Sequence, residues 1–370
     1  MEVRRESTHE FNRIQFVAGD RRETYLTVRP SRGESVVQVM RRLAGALDSA
    51  NDSLVRLDVF GPCAEFEAGK QALDDAFGGA LPCPLHWVEG GICNGGPIAG
   101  IHAFAVAGMP VETILLGGRP VGRLYSSPHG RFLLLANLQD SDIQPSREEQ
   151  ARKAFENLDA VLASVGMSMA NVARTWLYND DILDWYGEFN AVRTQFFHER
   201  GVFDGVVPAS TGVNGRNPDG TALTLCAFAV ESTGGVQMTA LPSPLQCPAP
   251  AYGSSFSRAV EVLTPDTRQI LISGTASIEP GGKTVHLDDV RAQIDLTMEV
   301  AQAILESRGA SFADTTRAIA YIKDAHNAPA FAAHCAEHGL TDLPVVVAEN
   351  IICRHDLLFE VELDTITPLG

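Results

Sequence analysis

Glu360 and Glu362 are the side chains whose type and spacing first suggest chemistry. They fall in Asp356–Thr365 (DLLFEVELDT), whose alternation of polar and apolar residues reads as a β-strand. A period of two puts both carboxyls on one face and apolar Phe359 and Val361 on the other. A gap-free alignment, offset by one residue, with two earlier strand-like segments, Ile98–Ala107 (IAGIHAFAVA) and Ala222–Glu231 (ALTLCAFAVE), sets the glutamates against Ala103 and Ala105 and against Ala227 and Ala229. Two carboxylates then replace alanines on a face that the sister segments keep small. Two readings stand side by side. One is a solvated strand face. The other is a pocket where burial raises a carboxyl pKa until the group serves as a general acid near neutral pH.

Other potential ligand sets are sparse. His334 and His338 have helical i,i+4 spacing, but no HExxH motif and no carboxylate partner accompanies them, so no metal site and no cofactor is expected. The seven cysteines, at 63, 83, 93, 226, 247, 335 and 353, form no CxxC and are odd in number, which reads as reduced thiols. The glycine cluster Glu89–Gly100 (EGGICNGGPIAG) lacks the GK[ST] of a phosphate loop and reads as a turn joining two strands.

The 370 residues suit two or three domains or one large composite, and 45% hydrophobic with 20% charged residues is ordinary for a chain with a sizeable core. A net charge of −17 argues against nucleic acid as a partner, since no basic surplus exists to neutralise phosphates. An anionic ligand therefore needs a local arginine pocket working against the global field. The polar N-terminus has no apolar core of signal-peptide length, and the longest apolar runs are strand-sized. A cytoplasmic protein with no membrane partner is expected.

The elements that must position these residues recur three times. Arg56-Leu-Asp-Val-Phe60, Arg174-Thr-Trp-Leu-Tyr178 and Arg317-Ala-Ile-Ala-Tyr321 share an anchor that alternates like a half-buried strand. An amphipathic helix precedes each, over Ser35–Ser49, Arg147–Val165 and Asp289–Arg308, the last two stopping at Gly166 and Gly309. A second helix and a closing strand follow. His129–Gln139 and Asp266–Ser277 read as opening strands. The prediction is an α+β chain with mixed sheets, built from three degenerate β–β–α–β–α–β units over residues 1–112, 113–240 and 241–370, each with two helices on one sheet face. Proline-rich joints near Gly108–Pro128 and Thr239–Ala251 are expected between them.

Particular strings carry a family resemblance. Trp185–Phe197 (WYGEFNAVRTQFF), Phe256-Ser-Arg-Ala259 and Ile272-Ser-Gly274 resemble segments of the Rid family of reactive enamine/imine deaminases. Those proteins are trimers with sites between subunits, so three copies in one chain imply a covalent, Rid-like (chorismate-mutase-like) pseudo-trimer, expected to be a monomer. The Rid deaminase activity itself fits poorly, because Ser210 and Pro344-Val-Val-Val347 stand where an arginine would hold the substrate carboxylate. A narrower resemblance spans nearly the whole chain. Trp176–Phe197, Pro208–Arg216 (PASTGVNGR), Tyr252–Ala259 (YGSSFSRA) and Cys353–Glu362 (CRHDLLFEVE) together resemble the chorismatases, which share the Rid-like fold and release pyruvate from chorismate.

That resemblance implies an enzyme acting on chorismate, with Glu360 as catalytic acid, Glu362 as a surface or support residue, and a pocket between the second and third copies. Cys353 matches a cysteine of the hydroxybenzoate-forming branch and implies 3-hydroxybenzoate as product, whereas Ala276 also suits the hydrolase branch and its dihydroxycyclohexadiene carboxylate. The two carboxylates of chorismate call for arginines, for which Arg193, Arg216 and Arg258 are the candidates. Arg193 shares a helix face with Asn190 and Tyr186. Tyr178, Tyr186, Ser210, Thr211 and the Gly212 backbone are expected to add neutral hydrogen bonds. A non-catalytic small-molecule binder is the alternative from another class.

Overall fold

The computed structural model describes residues 1–47 and 51–369. In the first repeat, β1 (Glu2–Ser7), β2 (Phe11–Ala18) and β3 (Arg21–Val28) lead into α1 (Val36–Ala46). Then come β4 (Ser53–Phe60), α2 (Phe66–Ala76), β5 (Leu85–Val88), β6 (Gly91–Ile92) and β7 (Gly100–Ala107). The second repeat begins with β8 (Val111–Leu116), β9 (Arg119–Ser126), β10 (Gly130–Leu135) and α3 (Arg147–Ser164). It continues through β11 (Val172–Asn179), α4 (Ile182–Glu199), β12 (Ala209–Asn214) and β13 (Leu223–Ser232). The third has β14 (Gln237–Leu241), β15 (Ala259–Leu263), β16 (Thr267–Ala276) and α5 (Val290–Glu306). It closes with β17 (Thr315–Ile322), α6 (Ala328–Glu337), β18 (Val345–Glu349) and β19 (Phe359–Pro368).

The three sheets share one strand order, β1-β2-β3-β7-β4-β5, β8-β9-β10-β13-β11-β12 and β14-β15-β16-β19-β17-β18. Each repeat is thus β–β–β–α–β–α–β plus its closing strand, richer than expected by a leading strand and by the short parallel strand after the second helix. The stretch Gly108–Pro128, read as a joint, is the β8–β9 hairpin, and Thr239–Leu241 belongs to β14. Pro110 and Pro128 lie outside the strands, and Pro120 sits at the start of β9 beside an irregularity in its pairing with β8, a place where a strand tolerates proline. Within the glycine cluster, β6 crosses to pair with β18, so the first repeat adds a strand to the third sheet.

Local chemistry explains the helix limits. Ser35 with Gln38 and Ser146 with Glu149 form capping boxes at the starts of α1 and α3. The Asp289 carboxylate accepts from the Ala292 N–H at 3.0 Å and caps α5. Gly166 and Gly309 take φ of 78° and 69° just past α3 and α5, a conformation glycine adopts without Cβ strain. The predicted end of the first helix, Ser49, lies outside the described residues.

Helices cover one face of each sheet, and the other three faces pack together around a shared core that includes Phe60, Phe104, Tyr125, Trp176, Tyr178, Phe228 and Tyr321. Central strands are therefore buried on both sides, not half-buried as the alternation suggested; β11 and β17 are buried throughout. The polar members of the anchors point into this core. Arg56, Arg174 and Arg317 converge on the Trp176 indole, with guanidinium carbons 3.7, 5.0 and 5.3 Å from a ring centroid.

Strand pairing corrects the alignment of the closing strands. Tyr321 faces Glu360, Tyr178 faces Thr224 and Phe60 faces Gly100 across the ladders. Glu360 is thus equivalent to Thr224 and Gly100, and Glu362 to Cys226 and His102. The gap-free match had slipped by three residues, an odd number that exchanges the two faces of a strand. Ala103, Ala105, Ala227 and Ala229 pack under the helices, whereas the glutamates face inward.

Candidate active site

The third sheet meets the second where β16 lies against β12. The Ser210 N–H donates to Ser273 Oγ at 2.8 Å, and the Gly274 N–H donates to Thr211 Oγ1 at 3.1 Å. A cavity opens along this seam, with about 560 Å³ of empty space counting its mouth, within the range of small-ligand sites. The second repeat supplies Tyr186 and Arg193 from α4 and Ser210 and Gly212 from β12. The third supplies Phe256, Arg258, Gly274, Ala276, Cys353, Arg354, Leu357 and Glu360. Seven of the expected site residues thus line this cavity beside Glu360.

Glu360 is 4% exposed and is the one acidic lining residue among those described. Burial first, then the charge of Glu362, pushes its pKa up to about 8, so the carboxyl is protonated at neutral pH. Gly274 makes room for it: a Cβ at that position would overlap Glu360 Oε1. Ala276 lies opposite Glu360 in the β16–β19 ladder.

Glu362, two residues on, behaves oppositely. Burial would raise its pKa, but Arg174 and Arg317, each 2.8 Å from its carboxylate, pull it down to about 2. The Trp176 indole N–H also donates to it, at 3.0 Å. The side chain is fully buried, so it is a support residue and not a surface one.

The arginines of the cavity each donate to a neutral acceptor. Arg193 Nη2 donates to Asn190 Oδ1 at 2.6 Å, and Asn190 Nδ2 donates to the Tyr186 carbonyl at 2.8 Å, so the expected helix face is formed. Arg258 donates twice to the Cys247 carbonyl, at 3.0 and 2.9 Å, and Arg354 Nη1 donates to the Gly282 carbonyl at 2.9 Å. Cys353 sits in the wall with its thiol pushed up to about 12, by burial and then by the charge of Glu360, and so stays protonated.

Three expected site residues fall elsewhere. Tyr178 is buried in the shared core, its hydroxyl 3.3 Å from that of Tyr321, because its position in β11 faces the molecular axis. Thr211 lies behind the cavity, accepting from Arg174 Nη2 at 3.1 Å and from the Gly274 N–H. Arg216 has a 65% exposed side chain near Glu89 and Asp180, away from the cavity, because strand β12 carries the chain past the site before reaching it. Sequence reasoning missed Arg354, Phe256 and Gly274, although all three lie in the strings already singled out. The Arg174 and Arg317 partners of Glu362 were visible as the recurring first residue of the anchors.

The equivalent seams differ. Where the first repeat meets the third, Gly100 replaces the glutamate, and a broad cavity is lined by apolar Ala99, Phe331, Ala332, Val345 and Val347, with Cys93 and Arg29. At the remaining seam Thr224 stands in that place. Elsewhere, His334 has a carboxylate partner that the sequence did not reveal, since its Nδ1 lies 2.7 Å from Asp295 Oδ1 on the neighbouring helix.

Comparison with known proteins agrees with this architecture. Residues 136–217 match the family model described as Endoribonuclease L-PSP. A curated relative, 3-hydroxybenzoate synthase from Streptomyces hygroscopicus, is 27% identical over 241 residues, which cover 58% of this chain and 68% of the relative. A crystal structure of a chorismatase superposes with a TM-score of 0.68 at 19% identity, covering 93% of this chain and 98% of that one. The chain is similar to the chorismatases and has their fold, three Rid-like units joined in one polypeptide. Among the described residues, no helix is long and apolar enough to cross a membrane.

Proposed function

We propose that this chain is a chorismatase, which binds chorismate in the cavity between the second and third repeats and removes its enolpyruvyl group as pyruvate. The observation that carries the reading is a carboxyl held protonated by burial in a cavity with three arginines, Arg193, Arg258 and Arg354. A dianionic ligand suits that charge set and would raise the pKa of Glu360 further.

Glu360 transfers its proton to the terminal methylene carbon of the enol ether, forming a C–H bond and leaving an oxocarbenium ion. The resulting carboxylate stabilises that cation in a site where water screens poorly. Capture of the cation by water, followed by collapse, yields pyruvate and a dihydroxycyclohexadiene carboxylate, with one water consumed. Capture by the neighbouring ring hydroxyl leads to a hydroxybenzoate and pyruvate, which together contain the atoms of chorismate and no more. Cys353 in the cavity wall and the resemblance to a 3-hydroxybenzoate synthase favour 3-hydroxybenzoate. The second reading, hydrolysis, is favoured by Ala276, whose small side chain opposite Glu360 leaves room for water.

The test is to incubate the purified chain with chorismate, assay pyruvate, and identify the second product by mass spectrometry. Glu360→Gln should lower turnover by about 10²–10⁴-fold, the usual worth of a general acid, while chorismate still binds in a titration. Turnover near wild type in that variant would remove Glu360 from the chemistry. No pyruvate from the wild type would remove the activity.

A further inference from the structure

We propose that Asp295, His334 and His338 form a site for one divalent first-row transition ion, zinc being the probe of choice, clamping α5 to α6 on the outer surface of the third repeat. The site is separate from the Glu360 cavity and shares no lining residue with it.

The geometry comes from two helices lying side by side. His334 and His338, one turn apart on α6 and just past its end, stack with ring centroids 4.3 Å apart. Asp295 of α5 reaches His334 Nδ1 at 2.7 Å. One ligand atom from each of the three lies within 4.8 Å of the other two. Bonds of about 2.0–2.1 Å in a tetrahedral set need ligand atoms only a little over about 3 Å apart. Small rotations of Asp295 and His338 close that gap, and both side chains are at the surface, where such rotations are open to them. His334, buried, is the fixed member.

The surroundings suit a cation. The hollow containing the three residues is also lined by Glu299, Gln302 and Glu306. Arg291 lies 3.3 Å from Asp295, but it also pairs with Glu337, so it keeps a carboxylate when Asp295 turns to the metal. Two imidazoles and one carboxylate leave a coordination position for water, and the set favours zinc and its neighbours over calcium or magnesium.

The experiment is a calorimetric titration of the full, metal-stripped chain with zinc at neutral pH, with thermal unfolding followed in parallel. One equivalent should bind and the midpoint should rise. Asp295→Asn and His338→Ala alter exposed side chains, and circular dichroism checks that each variant folds. Each should weaken binding by about tenfold or more and abolish the thermal shift. Cobalt(II) separates this site from the seven thiols, since a nitrogen and oxygen set lacks the intense near-ultraviolet thiolate band. The proposal is overturned if zinc binds equally well to the double variant, if no zinc binds to the wild type, or if cobalt reports thiolate ligation.

Discussion

Glu360 and Glu362 share one strand face and finish in opposite protonation states, and the difference lies in what each one meets. Glu362 is enclosed by two guanidinium groups and an indole N–H and stays ionised; Glu360 meets a glycine, an alanine and a cavity and stays protonated. If Glu360 is the acid, kcat/KM should be level below about pH 8 and fall about tenfold per pH unit above it, since only the protonated form donates. A profile that instead rises through that region would make Glu360 a base. Gly274→Ala tests the same carboxyl from behind. Its new methyl displaces the Glu360 carboxyl, and a shift of about 1 Å can cost on the order of 10²-fold in rate with the fold intact. Unchanged kinetics would show that the glycine is dispensable. At this scale the sequence was legible where a residue type broke a repeat, as at Glu360, and where matching strings contained arginines. It was not legible at Tyr178, Thr211 and Arg216, because the direction of a side chain depends on which sheet face looks toward the molecular axis.

The anchor strands β4, β11 and β17 set that axis. Their arginines place three positive charges around Trp176, and Asp58, Glu362 and Asp364 supply three negative ones, with Arg56 2.6 Å from Asp58 and Arg317 3.1 Å from Asp364. Removing one member strands the rest in a dry core. Glu362→Gln should therefore cost about 3–5 kcal/mol in chemical denaturation, the scale for breaking a buried pair. It should also lower the pKa of Glu360, because the charge of Glu362 is the second cause of its elevation, and so move the fall in kcat/KM to lower pH. A stability change below about 1 kcal/mol would mean that neighbouring groups compensate. The helices and anchors were readable from periodicity, capping residues and the glycine stops. The closing strands were found but misregistered by three residues, because apolar and small residues alternate similarly along all three, and only hydrogen-bonded partners distinguish one face from the other.

Across the whole molecule, three similar seams end with unequal chemistry. The interface of the second and third repeats has a buried carboxyl, an arginine from α4 and a cavity between them. Where the third repeat meets the first, Gly100 takes the glutamate's place and α6 presents Phe331, Ala332 and Cys335 where α4 presents Tyr186 and Arg193. At the last seam, Thr224 is fully buried in the β11–β13 ladder. A trimer of identical subunits must carry three equal sites, whereas fusing the copies frees two of them to drift toward packing. On the proposed function Glu360→Gln offers a direct count, because it should hold chorismate without consuming it. Calorimetry on that variant should give one chorismate per 39.8 kDa chain. Two or three equivalents would mean that a carboxyl and a helix arginine are not what makes a seam bind. A stoichiometry near one that is lost on Arg193→Ala, in a chain that remains folded, would tie the bound molecule to this interface.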